Sequence, residues 1–411
     1  MGGWNHRRLG PAPLGGSGAR GLARRRALAG GADDLKPRLL LAGLGHAHLF
    51  VLEALRGGKL PPCDVTLVTP ACYHYSGMIP GVVAGCYGAA DAAFDPAAQA
   101  RDAGVRWIRG RVTRIDAERR EVELDGGSRE AYDLLSLDIG SRPAGDGLPG
   151  LREHAHLVKP IGETLRFRDA AERAVAGATA AHPARVVIVG AGAAGVEVAM
   201  CLDARLRAEH GPDRHRIVLL QREAEILPAY PERCRRLAER ELEQRGIAVR
   251  TSTVATGVEP DGVGVEDGDP QPYDVLLWAT GPRAPELFRT SGLATDDGGY
   301  LQVEPTLHSS AHTAIFAAGD CAAIRGFPWV PRAGVYAVRE GPVLAGNLAR
   351  ALRGKPLREY EPQRDWLSLM NSGDGRALLH WRGLAFHGRP AWWLKDAIDR
   401  RFMRRFRHSS E

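Results

Sequence analysis

Two glycine-rich stretches have the spacing of a phosphate-binding turn between a strand and a helix. The clearer one, GAGAAG, places Gly190, Gly192 and Gly195 after the apolar run VVIV and before an alanine-rich stretch. In such a unit the first glycine makes a tight turn, the second admits a pyrophosphate, and the third lets helix and strand pack closely. The phosphates lie at the positive end of the helix. We therefore predict a dinucleotide site here, with a plain strand–helix turn as the alternative.

The other stretch, LLLAGLGHAHLF at residues 39–50, departs from this pattern at its last position. It has Gly43 and Gly45 at the first two places but His48 at the third. It is either a degraded nucleotide site or a site for a different dinucleotide. His46 and His48 are two residues apart and do not share a helix face, which favours packing or cofactor contact over a metal or a proton relay.

The strand predicted after GAGAAG bears on which nucleotide binds. RIVLLQRE, residues 216–223, contains Gln221 and Arg222 where an NAD site usually has an acid for the ribose. Arg222 would pair with a 2′-phosphate, or it is an ordinary solvated charge. NADH and NADPH are therefore equal candidates.

The motifs require a particular arrangement of elements. Apolar strand-like runs alternate with helical stretches twice along the chain, which is the pattern of parallel sheets wound with helices. We predict a helix at about 46–57 and a strand at 64–70 in the first unit, and a helix ending near 210 in the second. Antiparallel meanders are expected at 105–137 and about 247–278. A later predicted strand in IFAAGDCA, residues 315–322, has no third glycine-rich turn beside it. We therefore expect this strand to belong to the first sheet.

These residues resemble the two-dinucleotide flavoprotein superfamily, the pyridine nucleotide-disulfide oxidoreductase-like proteins. Their FAD lies in the first unit and their NAD(P)H in the second. The matching residues are Gly43 and Gly45, the three glycines of GAGAAG with Glu197, Ala279-Thr280-Gly281, and Gly319-Asp320. The runs YHYSGMIPGVVAG, VKPIGETL and AGVYAVREGPVLAGNL most resemble type II NADH dehydrogenase-like proteins associated with selenophosphate synthetase. Their first fingerprint looks like GxGHxH, so the resemblance implies an FAD site with His48 as a feature of the branch.

The resemblance implies two Rossmann-like FAD- and NAD(P)-binding domains, one inserted in the other, with small meanders and a C-terminal α+β segment. The expected parts are a tail at 1–35, FAD-binding parts at 36–158 and 286–350, an NAD(P)-binding domain at 159–285, and a C-terminal segment at 351–411. Besides the glycines, the FAD contacts would include His46, His48 and Asp320, the last on a ribityl hydroxyl. Thr69 stands where the wider superfamily has an acid, and either it binds the ribose weakly or the backbone does.

Hydride transfer itself asks for few catalytic side chains. It needs two rings in contact and water kept away, not a general base. Glu197 would lie where the cofactors meet, as in relatives where it pairs with a cation, and Lys159 and Arg339 are the candidates for that cation. An ordinary glutamate on a helix surface is the alternative.

The six cysteines give no CxxC spacing and no paired metal pattern, which favours a reducing compartment and predicts no metal site. Cys72 and Cys86 are fourteen apart, unlike the CxxxxC pair of disulfide reductases. A lone Cys72 acting at the flavin would need a lowered pKa. Cys321 is expected to pack.

The formal net charge of +6 sits at the chain ends. Residues 1–32 contribute +6 and 395–411 contribute +3, so the body is slightly acidic and a nucleic-acid groove is not expected. The arginine-rich start would be a disordered tail, an overlong start or a transit peptide. No apolar run approaches the roughly 20 residues that span a bilayer.

The tail AWWLKDAIDRRFMRRF predicts a basic amphipathic helix. Its apolar residues recur in steps of four (Leu394, Ile398, Phe402, Phe406), and its basic residues lie largely elsewhere (Lys395, Arg400, Arg401, Arg404, Arg405). Such a helix would lie on an anionic membrane surface and let a quinone reach the flavin, dock a partner, or cap the flavin domain.

The chain is thus expected to be an FAD-dependent NAD(P)H oxidoreductase that passes electrons to a small-molecule acceptor, first of all a quinone. The alternatives are the same enzyme with a sulfur or selenium acceptor, and a flavin-binding accessory protein without catalysis. We expect a cytoplasmic protein, or a peripheral one at the inner face of the membrane, and include a homodimer among its assemblies.

Overall fold

A computed structural model describes residues 36–70 and 72–407. Its first sheet has five parallel strands, in the order Ile315–Ala317, Leu134–Leu137, Arg38–Ala42, Asp64–Thr69, Arg106–Arg109. Leu134–Leu137 is buried at every position, as expected of a strand covered on both faces. The predicted tail at 1–35 lies outside the described residues.

The second sheet is built in the same way. Its five parallel strands follow the order His156–Leu157, Val275–Trp278, Ala184–Val189, His215–Leu220, Ala248–Arg250. The chain leaves the first sheet after Leu137 and returns to it at Ile315, so the second unit is inserted in the first. This confirms the predicted fold class.

Helices cover the two sheets. They span His46–Arg56, Ile79–Val83, Pro96–Asp102, Leu151–His154, Gly162–Ala176, Ala193–His210, Glu232–Gln244, Leu287–Thr290, Gly334–Leu352 and Arg389–Phe406, with 3₁₀ turns at Ala89–Ala92 and Gly319–Cys321. The helix His46–Arg56, which follows the first glycine turn, packs on the helix Gly334–Leu352. A Cβ at Gly341 would lie 2.3 Å from the Phe50 ring, so this glycine sets how closely the two helices approach.

Short strands complete the structure. They form two meanders (Val112–Asp116, Glu121–Leu124, Arg129–Ala131; Ala255–Glu259, Gly262–Val265, Gln271–Pro272), a C-terminal sheet (Ser368–Asn371, Ala377–Trp381, Leu384–Gly388) and three pairs (Tyr73–His74 with Ala93–Phe94, Arg142–Pro143 with Pro282–Arg283, Leu301–Val303 with Ala322–Ile324). The expected meanders were too long. Their outer segments, such as Leu134–Leu137 and Val275–Trp278, are apolar runs that belong to the parallel sheets.

The domain boundaries stay a proposal. The predicted boundary at 158 leaves His156–Leu157 with the first domain, but this strand pairs with Val275–Trp278 in the second sheet. Two connecting segments, Arg142–Pro143 and Pro282–Arg283, pair with each other in antiparallel fashion. We therefore propose that the chain crosses between the domains at this pair.

Candidate functional site

The first glycine turn lies against the end of a neighbouring strand. Gly43 has a φ of +87°, and a Cβ there would lie 2.3 Å from the carbonyl oxygen of Asp138. A Cβ at Gly45 would lie 2.1 Å from the Asp138 carboxylate. Both positions therefore exclude any larger residue, and the helix His46–Arg56 begins directly after them.

His48 occupies the third position of the turn, and both of its ring nitrogens make hydrogen bonds. Its Nδ1 lies 2.7 Å from the Gly43 carbonyl oxygen and its Nε2 lies 2.8 Å from Ser136 Oγ. Because a carbonyl only accepts, Nδ1 carries the hydrogen and Nε2 accepts from the Ser136 hydroxyl. Burial lowers the pKa of His48 to about 4. Of the two roles expected, the geometry favours packing: a neutral histidine ties the turn to the strand.

The second glycine turn leaves room for a ligand. A Cβ at Gly190 would lie 2.5 Å from the Ala279 carbonyl oxygen, and one at Gly195 would lie 1.9 Å from the Gly190 carbonyl oxygen. A Cβ at Gly192 would meet nothing within 4 Å. Gly192 stands immediately before the helix Ala193–His210, so the open space lies at a positive helix end that suits a pyrophosphate.

Residues at the end of the following strand are bonded to this turn. The buried Gln221 accepts a hydrogen bond from Ala191 N at 2.8 Å and donates to Glu223 Oε2 at 2.7 Å. The exposed Arg222 donates to Glu223 Oε1 at 2.9 Å. Arg222 is thus paired with a carboxylate, which makes it less available to bind a 2′-phosphate. Thr280 and Gly281 follow Ala279, whose carbonyl oxygen lies next to Gly190. Thr280 Oγ1 donates to Ala144 O at 2.6 Å.

Asp320 and Lys159 form an ion pair beside the first turn. Lys159 Nζ lies 2.6 Å from Asp320 Oδ2, and Ser141 Oγ donates to the same oxygen at 3.2 Å. Burial alone would raise the pKa of Asp320, but Lys159 and Ser141 hold it below its usual value. Lys159 was expected opposite Glu197, and this pairing was wrong. Thr69 ends the strand Asp64–Thr69 and is buried.

The cation beside Glu197 is Lys395, at 3.8 Å. Lys395 Nζ also donates to Asp399 Oδ2 at 3.0 Å and to Gly77 O at 2.7 Å. Glu197 Oε1 accepts from Asn371 N at 2.7 Å. Burial raises the pKa of Glu197 to about 7, against the opposing effect of Lys395. The other expected partner, Arg339, is exposed.

The Glu197–Lys395–Asp399 cluster joins three parts of the chain. Glu197 lies on the helix Ala193–His210, which follows the second glycine turn, while Lys395 and Asp399 lie on the C-terminal helix. Tyr75, in the segment after the strand Asp64–Thr69, donates to Asp399 Oδ1 at 3.2 Å. In the same segment the hydroxyl of Tyr73, on the short strand Tyr73–His74, lies 3.0 Å from His46 Nδ1. The first glycine turn and the cluster are therefore linked through one short segment.

The cysteines give no support to thiol chemistry. All six are free. Partial burial and the nearby Asp95 raise the pKa of the Cys72 thiol, the reverse of what a reactive thiolate needs. Cys321 is buried and donates to Ala318 O at 3.3 Å. In the described ranges no group of three His, Cys, Asp or Glu could hold a metal ion.

The C-terminal helix, Arg389–Phe406, divides the predicted apolar stripe between its buried and its exposed face. Phe406 is buried, but Leu394 and Ile398 are 42% and 41% exposed, and Lys395 lies in the buried face. Steps of four residues advance by about 400° each, so the predicted stripe winds about 120° round the helix from Leu394 to Phe406. None of the helices between residues 36 and 407 is long and apolar enough to cross a membrane.

Known proteins share sequence and fold with this chain. An NADH dehydrogenase-like protein of Mycobacterium tuberculosis is 33% identical over 226 residues, which are 54% of this chain and 56% of that protein. The chain thus aligns with little more than half the length of this relative. A type II NADH:quinone oxidoreductase of Staphylococcus aureus is 25% identical over 391 residues, covering 90% of this chain and 96% of that protein. A structure of NDH2 from Plasmodium falciparum in complex with NADH has a TM-score of 0.76 at 14% identity and covers 90% of this chain and 97% of that one.

One protein-family profile, described as pyridine nucleotide-disulphide oxidoreductase, matches residues 39–341. The matched range contains both glycine turns, the Lys159–Asp320 pair and most of both sheets. FAD and a pyridine nucleotide are the cofactors expected of a member of this family, and the open space at Gly192 suits the pyrophosphate of the pyridine nucleotide. The chain belongs to the pyridine nucleotide-disulphide oxidoreductase family.

Proposed function

We propose that this chain is an FAD-dependent NAD(P)H:quinone oxidoreductase. The observation that carries the proposal is the buried Glu197–Lys395–Asp399 cluster, which lies between the two nucleotide-binding units. A bound flavin would take a hydride from the nicotinamide and pass two electrons to the quinone. The name of the Staphylococcus aureus relative, which aligns over most of both chains, supports the same acceptor.

The cluster would handle the proton that this reaction needs. A quinone takes up two electrons and two protons, and the hydride brings both electrons but only one proton. The second proton must come from water by way of the protein. Glu197 suits this task because its pKa of about 7 lets it hold and release a proton near neutral pH. Lys395 would keep the released carboxylate in place, and Asp399 holds the lysine.

The acceptor is tested by steady-state assays of the flavin-loaded protein. With NADH or NADPH as donor, we expect a short-chain quinone to be reduced faster than polysulfide or selenite. Faster reduction of a sulfur or selenium species would replace the quinone by that acceptor, and would fit the selenophosphate synthetase-associated branch that the GxGHxH turn suggests. No turnover with any acceptor would leave the accessory-protein alternative.

Glu223 is expected to oppose NADPH, because it is paired with Arg222. In a Glu223→Gln variant the guanidinium is free to pair with a 2′-phosphate, so the ratio of kcat/KM for NADPH to that for NADH should rise about threefold to tenfold. The double variant Glu223→Gln/Arg222→Ala is the control and should show no rise. An unchanged ratio in the single variant would mean that Arg222 does not reach the ribose.

We further propose that the C-terminal segment lies on a membrane surface. Among residues 36–70 and 72–407, six of the eight exposed large hydrophobic side chains occur between residues 381 and 398: Trp381, Leu384, Phe386, Trp393, Leu394 and Ile398. Exposed arginines, Arg401 and Arg404, follow on the same helix. Apolar side chains beside basic ones are typical of a peripheral helix on anionic lipid. We also propose a location at the inner face of the membrane, and a homodimer as one of the assemblies of this protein.

Replacing Trp393, Leu394 and Ile398 together by serine should release the protein from vesicles. We expect the fraction that co-sediments with anionic phospholipid vesicles to fall at least about tenfold, since three exposed apolar groups that would insert into the lipid are lost. Trp329→Ser, at a side chain 40% exposed elsewhere, is the control. Vesicle binding equal to that of wild type would show that this surface does not bind the membrane. A change from dimer to monomer in the absence of vesicles would show that the surface binds a second copy of the chain.

A further inference from the structure

A carboxylate already occupies the helix end at which the FAD phosphates are expected. Asp138 follows the strand Leu134–Leu137, and its Oδ2 accepts from the backbone N–H of His48 at 2.9 Å. The backbone N–H of Ala47 faces the same carboxylate. The side chain is buried between two glycines, with the Cβ position of Gly45 at 2.1 Å and that of Gly319 at 3.0 Å from Oδ1. The acid therefore uses N–H groups that a pyrophosphate would otherwise meet.

The groups that face Asp138 with a charge are mostly negative. Glu340, on the helix Gly334–Leu352, accepts from Gly319 N at 2.5 Å, and burial raises its pKa to about 7. Asp320 lies on the 3₁₀ turn beside it. Lys159, the lysine of the site, donates to Asp320 at 2.6 Å rather than to Asp138. A pyrophosphate would add further negative charge to a place that already holds three carboxyl groups.

The remaining titratable neighbours are neutral near pH 7. Burial lowers the pKa of His46 and His48 to about 4. Burial raises the pKa of Cys321 to about 12 and that of Tyr73 well above its usual value. None of these side chains supplies a positive charge that would keep Asp138 ionised beside a phosphate.

We propose that Asp138 is an FAD-binding residue that carries a proton in the complex and donates a hydrogen bond to a phosphate oxygen. The inference rests on the proposed FAD site at the first glycine turn. An ionised Asp138 would repel the phosphate, whereas the protonated acid offers it a donor and keeps one oxygen for His48 N–H. Burial, Glu340 and Asp320 already raise the pKa of Asp138 to about 7, so protonation is within reach at neutral pH.

The sign of the pH dependence follows from this state. Below about pH 7 the free protein already holds the proton, and the affinity for FAD does not change. Above that pH, binding must take up a proton, so the dissociation constant should rise by up to about tenfold per pH unit. Asp138→Asn presents the same shape with an amide that always donates, so its affinity should lose the larger part of the pH dependence and keep only what Glu340 contributes.

The test is equilibrium dialysis of FAD against the flavin-stripped full chain between about pH 6 and about pH 9. The affinity of wild type for FAD should fall above neutrality, and its binding should take up a proton, measured by calorimetry in buffers of different ionisation enthalpy. In Asp138→Asn both effects should be much smaller. Glu340→Gln, the matched control, should keep the pH dependence with its onset at lower pH. A pH-independent wild type, or a dependence lost in Glu340→Gln and kept in Asp138→Asn, would overturn the inference. Absence of FAD binding at every pH would instead refute the proposed FAD site.

Discussion

Gly192→Val is expected to abolish reduction of the flavin by a nicotinamide while the flavin stays bound. A Cβ at Gly192 meets no protein atom within 4 Å, and the backbone there is extended, so the substitution should leave the fold intact. The new side chain would stand in the space at the end of the helix Ala193–His210, where the pyrophosphate is expected. We expect the rate of flavin reduction at fixed NADH to fall at least about 100-fold, because the nicotinamide can no longer be placed.

The matched control for this prediction is Gly346→Val. Gly346 is an exposed glycine whose Cβ would also meet nothing within 4 Å, but it lies on the far part of the helix Gly334–Leu352. It should keep the wild-type rate. The measurement is stopped-flow absorbance of the flavin after mixing with NADH without oxygen. A Gly192→Val protein that is reduced at the wild-type rate would mean that the second glycine turn is not the nicotinamide site.

Glu197→Gln should separate the two halves of the reaction. Glutamine keeps the hydrogen bond from Asn371 N but cannot release a proton. Flavin reduction by NADH should therefore stay within about threefold of wild type, whereas reoxidation by a quinone should slow about 100-fold, the usual scale of a lost proton donor. Rapid-mixing absorbance measures both steps.

The pH profile gives a second readout for Glu197. Its pKa is raised to about 7, so the proton is present below that pH and lost above it, and wild-type reoxidation by the quinone should decline above about pH 7. Glu197→Gln should lack this decline. Glu209→Gln, at an exposed residue on the same helix, should behave as wild type. Equal slowing of both steps would indicate that Glu197 serves the structure and not the proton.

Local patterns in the sequence predicted much of the fold. The two glycine turns, the alternation of strands and helices, and the return of the strand at Ile315 follow from spacing and apolar runs. The role of His48 was only half predictable. Its place in the GxGHxH pattern indicated that it belongs there, but its bonds to Gly43 and Ser136 depend on where a strand 88 residues later lies.

The ion pairs of the site could not be predicted from local sequence patterns. Lys395 was grouped with the basic residues that lie away from the apolar stripe, but it lies in the buried face of the helix. Its partner Glu197 lies on another domain's helix, and only the packing of the C-terminal helix brings the two together. Asp138 gave no signal either, since a single acid after an apolar run looks like the ordinary end of a strand.

In the proposed reaction a nicotinamide reduces a bound flavin, and the reduced flavin then reduces a quinone. The most direct measurement is the visible absorption of the purified, flavin-loaded protein during anaerobic addition of NADH or NADPH, followed by a short-chain quinone. We expect the flavin absorption to bleach with at least one of the two nucleotides and to return when the quinone is added. Absorption that stays unchanged with both nucleotides would contradict the proposed reaction.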